Sequence, residues 1–219
     1  MIVIVDYGMG NLRSVQKAFE RIGQQAEVTD RPERVAAAER IVVPGVGAFG
    51  DAMAALRSHG LVEPIRDFVA AGRPALGICL GLHVLFEESE EVAEAPVEVA
   101  AMAGQPLPKG LALLPGRVQH FGPEVVRQGL KVPHMGWNVV RPVGPSPLFD
   151  AMPREGVYFY FAHSYYAAPR DRDVVVGETD YGLPFASAVR CGNLHATQFH
   201  PEKSQAAGLA LLERFVTCT

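Results

Sequence analysis

The chain opens on Ile2-Val3-Ile4-Val5, four consecutive apolar, β-branched positions with no polar interruption. A strand with one wet face would alternate, so an unbroken run predicts a strand buried on both faces, as in a parallel sheet. The pattern then changes period. Leu12, Val15, Phe19 and Ile22 recur at helical spacing, with Asn11 as a candidate N-cap and Gly23 as the stop. A second wholly apolar run, Ile41-Val42-Val43 within Arg40–Pro44, predicts another buried strand. Helical patterns follow at Asp51–Ser58 and Leu61–Ala71, with Pro64 acceptable in a first turn. Pro74–Cys79 is the next predicted strand. Repeated βα units imply a parallel sheet with helices on both faces and a site at the carboxyl ends of the strands.

From about Leu111 the pattern turns to short β-rich segments. Gly116–Phe121, Trp137–Arg141, Val157–Ala162, Val174–Glu178, Phe185–Arg190 and His195–Phe199 are separated by Gly, Pro and Asp turns, and Ser204–Val216 closes the chain as a helix. The expected fold class is α/β, a mostly parallel twisted sheet with flanking helices and added antiparallel strands, forming one domain over residues 1–219. Val92–Pro108, rich in Ala, Val, Glu and Pro without periodicity, is expected to be an inserted loop.

Composition narrows the partners. With 219 residues, 48% hydrophobic and 20% charged, the chain can bury a substantial core. A net charge of −4 without any run of Lys or Arg gives no electrostatic reason to expect nucleic acid or an anionic membrane. No stretch approaches the length of a membrane span, and the N-terminus reads as a strand, not a signal peptide. Three widely spaced cysteines fit a reducing cytoplasm better than a disulfide framework.

The candidate chemistry lies in Gly77-Ile78-Cys79-Leu80-Gly81, directly after a buried strand, and in His200-Pro201-Glu202. A residue flanked by glycines at a strand-to-helix turn is lifted out of the sheet as a nucleophile elbow. The new helix would aim its N–H groups and positive dipole end at the sulfur. On an extended segment His200 and Glu202 would share a face, giving nucleophile, base and orienter. Pro44-Gly45-Val46-Gly47 ends an earlier strand, where glycine backbone can offer N–H donors to an oxyanion. Gly8-Met9-Gly10-Asn11 fails as a dinucleotide fingerprint because Arg13 stands where a third glycine belongs. His134, His163, His195 and His200 match no zinc spacing, so no metal is expected. Phe159, Tyr160, Phe161, Tyr165 and Tyr166 read as core and sheet packing, with a pocket or interface role open for the tyrosines.

These motifs resemble the triad-type, class-I glutamine amidotransferases, whose fold is flavodoxin-like. Asp6-Tyr7-Gly8-Met9-Gly10-Asn11, Pro44 through Gly50, Pro133-His134-Met135-Gly136-Trp137-Asn138 and Gln198 through Ser204 are similar to the branch serving histidine biosynthesis. The resemblance covers nearly the whole chain. It implies that Cys79 attacks L-glutamine, His200 moves the proton and Glu202 orients the imidazole, with no cofactor. Leu80 and Gly45-Val46-Gly47 would supply the oxyanion donors, and Glu91, Ser164 and Tyr165 would grip the amino-acid end of glutamine. Ammonia would pass to a separate (β/α)₈-barrel synthase subunit meeting Asn11, Trp137, Tyr160 and Lys203; a core position for Trp137 is the alternative. The elbow departs from the family at His83, where a substrate-contacting Gln is usual, and the 92–108 segment follows Glu91 directly. A glutaminase serving another synthase, such as that of pyridoxal phosphate, and a free-standing cysteine hydrolase are the competing readings.

Overall fold

The structure is a computed structural model and describes residues 1–91 and 106–219. Five strands form the parallel part of the sheet: β1 (Ile2–Val5), β2 (Ala26–Thr29), β3 (Arg40–Gly45), β4 (Ala75–Cys79) and, from the far end of the chain, β12 (Leu194–Thr197). Their order is β2-β1-β3-β4-β12, all pairs parallel. This is the flavodoxin-like order, in which sites form at the carboxyl ends of the parallel strands. The apolar runs β1 and β4 are buried at every position, as their lack of alternation predicts.

Helices cover both faces. Helix α1 (Leu12–Arg21) and the final helix α7 (Gln205–Thr217) pack with Ile2, Ile4, Val42, Leu76 and Ile78 on one side. On the other side α2 (Pro32–Ala37), α3 (Phe49–Ser58) and α4 (Val62–Ala70) cover Val3, Val5, Ile41 and Val43. Asn11 does occupy the cap position of α1, but its side chain makes no capping hydrogen bond; its carbonyl accepts from Ser14 and Val15. Gly23, at φ +75°, ends the helix, with the Gln24 N–H returning to the Phe19 carbonyl. Helix α3 begins two residues before the expected Asp51, at Phe49.

The same sheet continues into the antiparallel half through β11 (Pro184–Cys191), β10 (Val175–Asp180), β7 (His134–Pro142) and β8 (Val157–His163). A side layer pairs β5 (Phe86–Ser89), β6 (Leu114–His120) and β9 (Tyr165–Pro169), with β9 joined back to β11. The one-turn helix α5 (Leu80–His83) leaves β4, and α6 (Pro123–Arg127) follows β6. Sequence pattern missed β2, α2, β5, α6 and β9; strand β12 ends at Thr197, short of the expected Phe199. Most of the expected 92–108 insertion lies outside the described residues.

Candidate active site

Strand β4 ends on Cys79, which sits at φ 56°, ψ −108°, a conformation L-residues rarely adopt. Such strain persists only where the surroundings over-determine it. Here they do. A Cβ at Gly81 would lie 1.7 Å from the Val43 carbonyl oxygen, and one at Gly77 would lie 2.7 Å from the Gly81 carbonyl oxygen. Only glycine lets α5 fold back so closely over β3. Because α5 is a single turn of four residues, its dipole adds little at the sulfur, less than the sequence pattern suggested. The Cys79 sulfur lies 3.9 Å from the Ala162 carbonyl oxygen and 4.0 Å from Gln198 Nε2.

His200 arrives on the loop after β12. Its N–H donates to the Tyr160 carbonyl (2.9 Å), and its carbonyl accepts from the Ser204 hydroxyl (2.6 Å), which in turn accepts from the Tyr160 N–H (3.0 Å). The segment is not extended as expected. Pro201, with no N–H for a ladder, starts a 3₁₀ turn over Pro201–Lys203 that curls Glu202 back beneath the imidazole. Glu202 Oε1 accepts from His200 Nδ1 at 2.8 Å, both side chains almost fully buried. With Nδ1 committed to the carboxylate, Nε2 is the nitrogen left for Cys79. Burial alone would lower the His200 pKa; hydrogen bonds to Cys79 and Glu202, and the negative charge of both, overcome it and push it up to about 10. These interactions favour the protonated imidazole.

Cys79 and His200 open onto a cleft of about 330 Å³. Of the residues expected around the substrate, Val46, Gly47, Leu80, His83, Glu91, Ser164 and Tyr165 all line it. Gly45 lies just beneath: a Cβ there would meet the Tyr7 hydroxyl at 2.2 Å and Leu80 Cβ at 2.9 Å. The Tyr7 hydroxyl donates to the Pro44 carbonyl (2.7 Å), and burial, with the Cys79 charge nearby, raises its pKa so that it stays protonated. Beyond this anchor Val46 is 41% exposed and Gly47 sits at φ +102°. Glu91 Oε2 accepts from the Phe49 N–H at 2.9 Å, so the carboxylate also closes the open N-terminus of α3; burial raises its pKa.

His83 is buried, and its Nε2 donates to Gln198 Oε1 at 2.8 Å. Burial pulls it down to about 4, so it is a neutral member of the pocket floor, linked through Gln198 to the sulfur. Sequence reasoning did not single out Gln198, nor the lining residues Pro133, Met135, Ala162 and His163. The sequence pattern offers His163 only as a candidate metal ligand. Among the described residues no group of three or more His, Cys, Asp or Glu is placed to hold a metal ion. No helix among them is long and apolar enough to cross a membrane.

The outer rim carries the expected docking residues. Trp137 is 47% exposed, which corrects the core alternative, and meets Tyr160 edge-on at 6.2 Å between ring centroids. The Lys203 ammonium stands 5.9 Å from the Tyr160 ring centroid, and Asn11 is exposed.

A strained cysteine elbow on a five-stranded parallel sheet, facing a histidine bonded to a carboxylate, is the arrangement of a triad amidohydrolase. The model of the glutamine amidotransferase class-I family matches residues 3–218, and the chain belongs to that family. A solved glutamine amidotransferase shares the fold at a TM-score of 0.71 and 20% identity, covering 99% of each chain. The resemblance tightens among curated proteins named imidazole glycerol phosphate synthase subunit HisH. That of Syntrophotalea carbinolica is 52% identical over 98% of both chains. That of Rhodopirellula baltica is 51% identical over 99% of this chain and 97% of its own. Moorella thermoacetica has one 50% identical, covering 98% of this chain and 93% of its own.

Proposed function

We propose that this chain is the glutamine-hydrolysing subunit of an imidazole glycerol phosphate synthase, acting as one cytoplasmic domain without a cofactor. The observation that carries the reading is the Cys79 elbow facing His200 and Glu202 at the head of a cleft sized for an amino acid. Cys79 sulfur attacks the carboxamide carbon of L-glutamine, and the carbonyl oxygen takes up the negative charge. The N–H of Leu80 and the backbone of Gly45-Val46-Gly47 stabilise that oxyanion. Protonated His200 gives its proton to the departing nitrogen, so ammonia leaves and a glutamyl thioester remains. Neutral His200 then takes a proton from water as the hydroxyl attacks the thioester carbon; the C–S bond breaks, the Cys79 thiolate is regenerated beside the imidazolium, and glutamate is released. Glu202 holds the imidazole in one tautomer throughout. Glu91 and the backbone at Ser164 and Tyr165 hold the amino-acid end of the substrate, with His83 below it.

Ammonia passes to a (β/α)₈-barrel synthase subunit docked on Asn11, Trp137, Tyr160 and Lys203. An exposed Trp packed against Tyr, with a Lys beside it, is the composition of an interface anchor. That subunit joins the nitrogen to its nucleotide substrate in histidine biosynthesis.

The test is glutamate release by the chain alone and with the synthase subunit and its nucleotide ligand. Strong stimulation that disappears in Cys79→Ala is the expected result. High activity without the partner, or activity surviving Cys79→Ala, overturns the reading.

A further inference from the structure

Two buried histidines take no part in the chemistry above. His134, the first residue of β7, and His163, the last of β8, are direct cross-strand partners, 3% and 6% exposed. His163 Nδ1 lies 2.8 Å from the Tyr165 carbonyl oxygen, and its Nε2 lies 2.9 Å from His134 Nδ1. His134 Nε2 in turn lies 3.3 Å from Asn138 Nδ2.

Donor and acceptor chemistry orders this chain. A carbonyl oxygen only accepts, so the proton of His163 sits on Nδ1 and its Nε2 is bare. Bare Nε2 accepts from His134 Nδ1–H, which leaves His134 Nε2 bare to accept from Asn138. The Asn138 amide is oriented independently: its oxygen accepts from the Val139 N–H at 2.8 Å, and its nitrogen donates to the Asp180 carbonyl at 2.9 Å. A proton added to either ring would put two donors face to face. Burial, the largest influence on both rings, pulls His134 down to about 4 and His163 well below its ordinary value. The neighbouring His134, His83 and His200 would each disfavour a second cation at His163, which acts in the same direction. The His134 ring is clamped between Tyr181 and Phe161, at 3.9 and 4.8 Å between centroids.

The relay ends on the turn between β8 and β9, which is a wall of the cleft. The Ser164 carbonyl accepts from the Phe121 N–H at 3.0 Å, and the Tyr165 carbonyl is held by His163. Each bond sets the rotation of one rigid peptide plane, and with it the N–H of the following residue. Along β7 the exposures alternate, so His134 and Asn138 face inward while Met135 and Trp137 face out.

We propose that His134 and His163 are positioning residues for glutamine, a directed relay that holds the Ser164–Tyr165 turn in its substrate-binding shape. This rests on reading the cleft as the glutamine site. A ground-state binding wall that loosens raises KM and leaves the chemical step intact.

The experiment is steady-state glutamine hydrolysis by the assembled complex with His134→Phe and His134→Asn. Phenylalanine keeps the stacking and loses the donor; asparagine keeps a donor where Nδ1 stood. In His134→Phe, KM should rise about fivefold to tenfold, the worth of one net hydrogen bond, with kcat within about twofold. His134→Asn should restore most of the wild-type KM. An unchanged KM in His134→Phe, or a loss confined to kcat, overturns the proposal. Should His134→Phe not fold, imidazole ¹⁵N spectra of the unmodified protein decide. Two neutral Nδ1–H rings from pH 8 to 5 support the relay, and an Nε2–H or cationic ring overturns it. A complex whose turnover survives Cys79→Ala would sink the function itself, whereas the relay fails only with Cys79-dependent turnover intact.

Discussion

The two halves of this sheet aim their catalytic groups by different means. Between Met1 and Glu91 the buried polar side chains are Thr29, His83 and Ser89, together with the Tyr7 hydroxyl bonded to the Pro44 carbonyl. From His134 to Ser204 the buried set includes His134, His163, Thr179, Ser187, His195, Gln198, His200 and Ser204. In the parallel half Cys79 is aimed by steric exclusion: carbonyls press so close to Gly77 and Gly81 that the elbow has one shape. In the antiparallel half His200, and the wall opposite it, are aimed by hydrogen bonds between buried polar groups. Sterics ignore protons and hydrogen bonds do not. The nucleophile's placement should therefore be indifferent to pH, and the base and pocket wall should not.

The sharpest test of the steric side is Gly81→Ala. Its Cβ would need the space of the Val43 carbonyl, which is main chain and cannot rotate away. Loss of more than about 4 kcal/mol of stability, or failure to fold, is expected in urea denaturation. A wild-type midpoint would show that the elbow is not sterically fixed.

Glu202→Gln probes the polar side at the site itself. The loss in kcat should be about 10²- to 10⁴-fold, as when a triad orienter keeps its shape but not its charge. His200, pushed up to about 10, should keep wild-type activity from declining until alkaline pH. Removing the Glu202 charge should move that limb toward neutrality in a kcat/KM profile. An unmoved limb would mean that Cys79 alone holds the imidazolium, since the pair titrates as a unit.

The smallest effect is shared by buried histidines of both halves, His83 on α5, His195 on β12 and His134 on β7. Unfolded, a histidine takes up a proton below about pH 6.5. In this fold His83, His134 and His195 stay neutral until about 4, because burial disfavours the cation. Between those values the unfolded chain binds more protons, so stability falls as pH falls from 6.5 toward 4 and is unaffected by these groups above 6.5. The slope is at most about 1.4 kcal/mol per pH unit for each histidine. Urea midpoints at pH 7.5, 6 and 5 measure it, and a flat profile would mean that burial does not hold these rings neutral.

Legibility in the sequence divides along the same line. Ile2–Val5, Arg40–Gly45 and Ala75–Cys79 were readable because burial on both faces leaves an unbroken apolar run. The elbow was readable because close packing leaves glycines at fixed spacing. Ala26-Glu-Val-Thr29 was not, since four residues with mixed exposure show no period. Tyr165–Pro169 has no separate strand signature, because its strand character comes from pairing with distant β6. His163 and Gln198 reach the site through partners far away in the chain, His134 for one and Cys79 and His83 for the other, and no local spacing announces such contacts. The curl at Pro201 was visible as a proline but was read as extended, because the return of Glu202 depends on the turn that follows it.

The bonds that hang His200 on Tyr160 have a further consequence, for self-association. Strand β8 ends the run of paired strands on that side of the sheet, and an uncovered edge invites another chain to add to it. At Tyr160 both backbone groups are already taken, the carbonyl by the His200 N–H and the N–H by Ser204. The loop that carries the catalytic base thus also blunts the sheet's margin, so a substitution that frees it would trade lost hydrolysis for a new tendency to aggregate edge to edge.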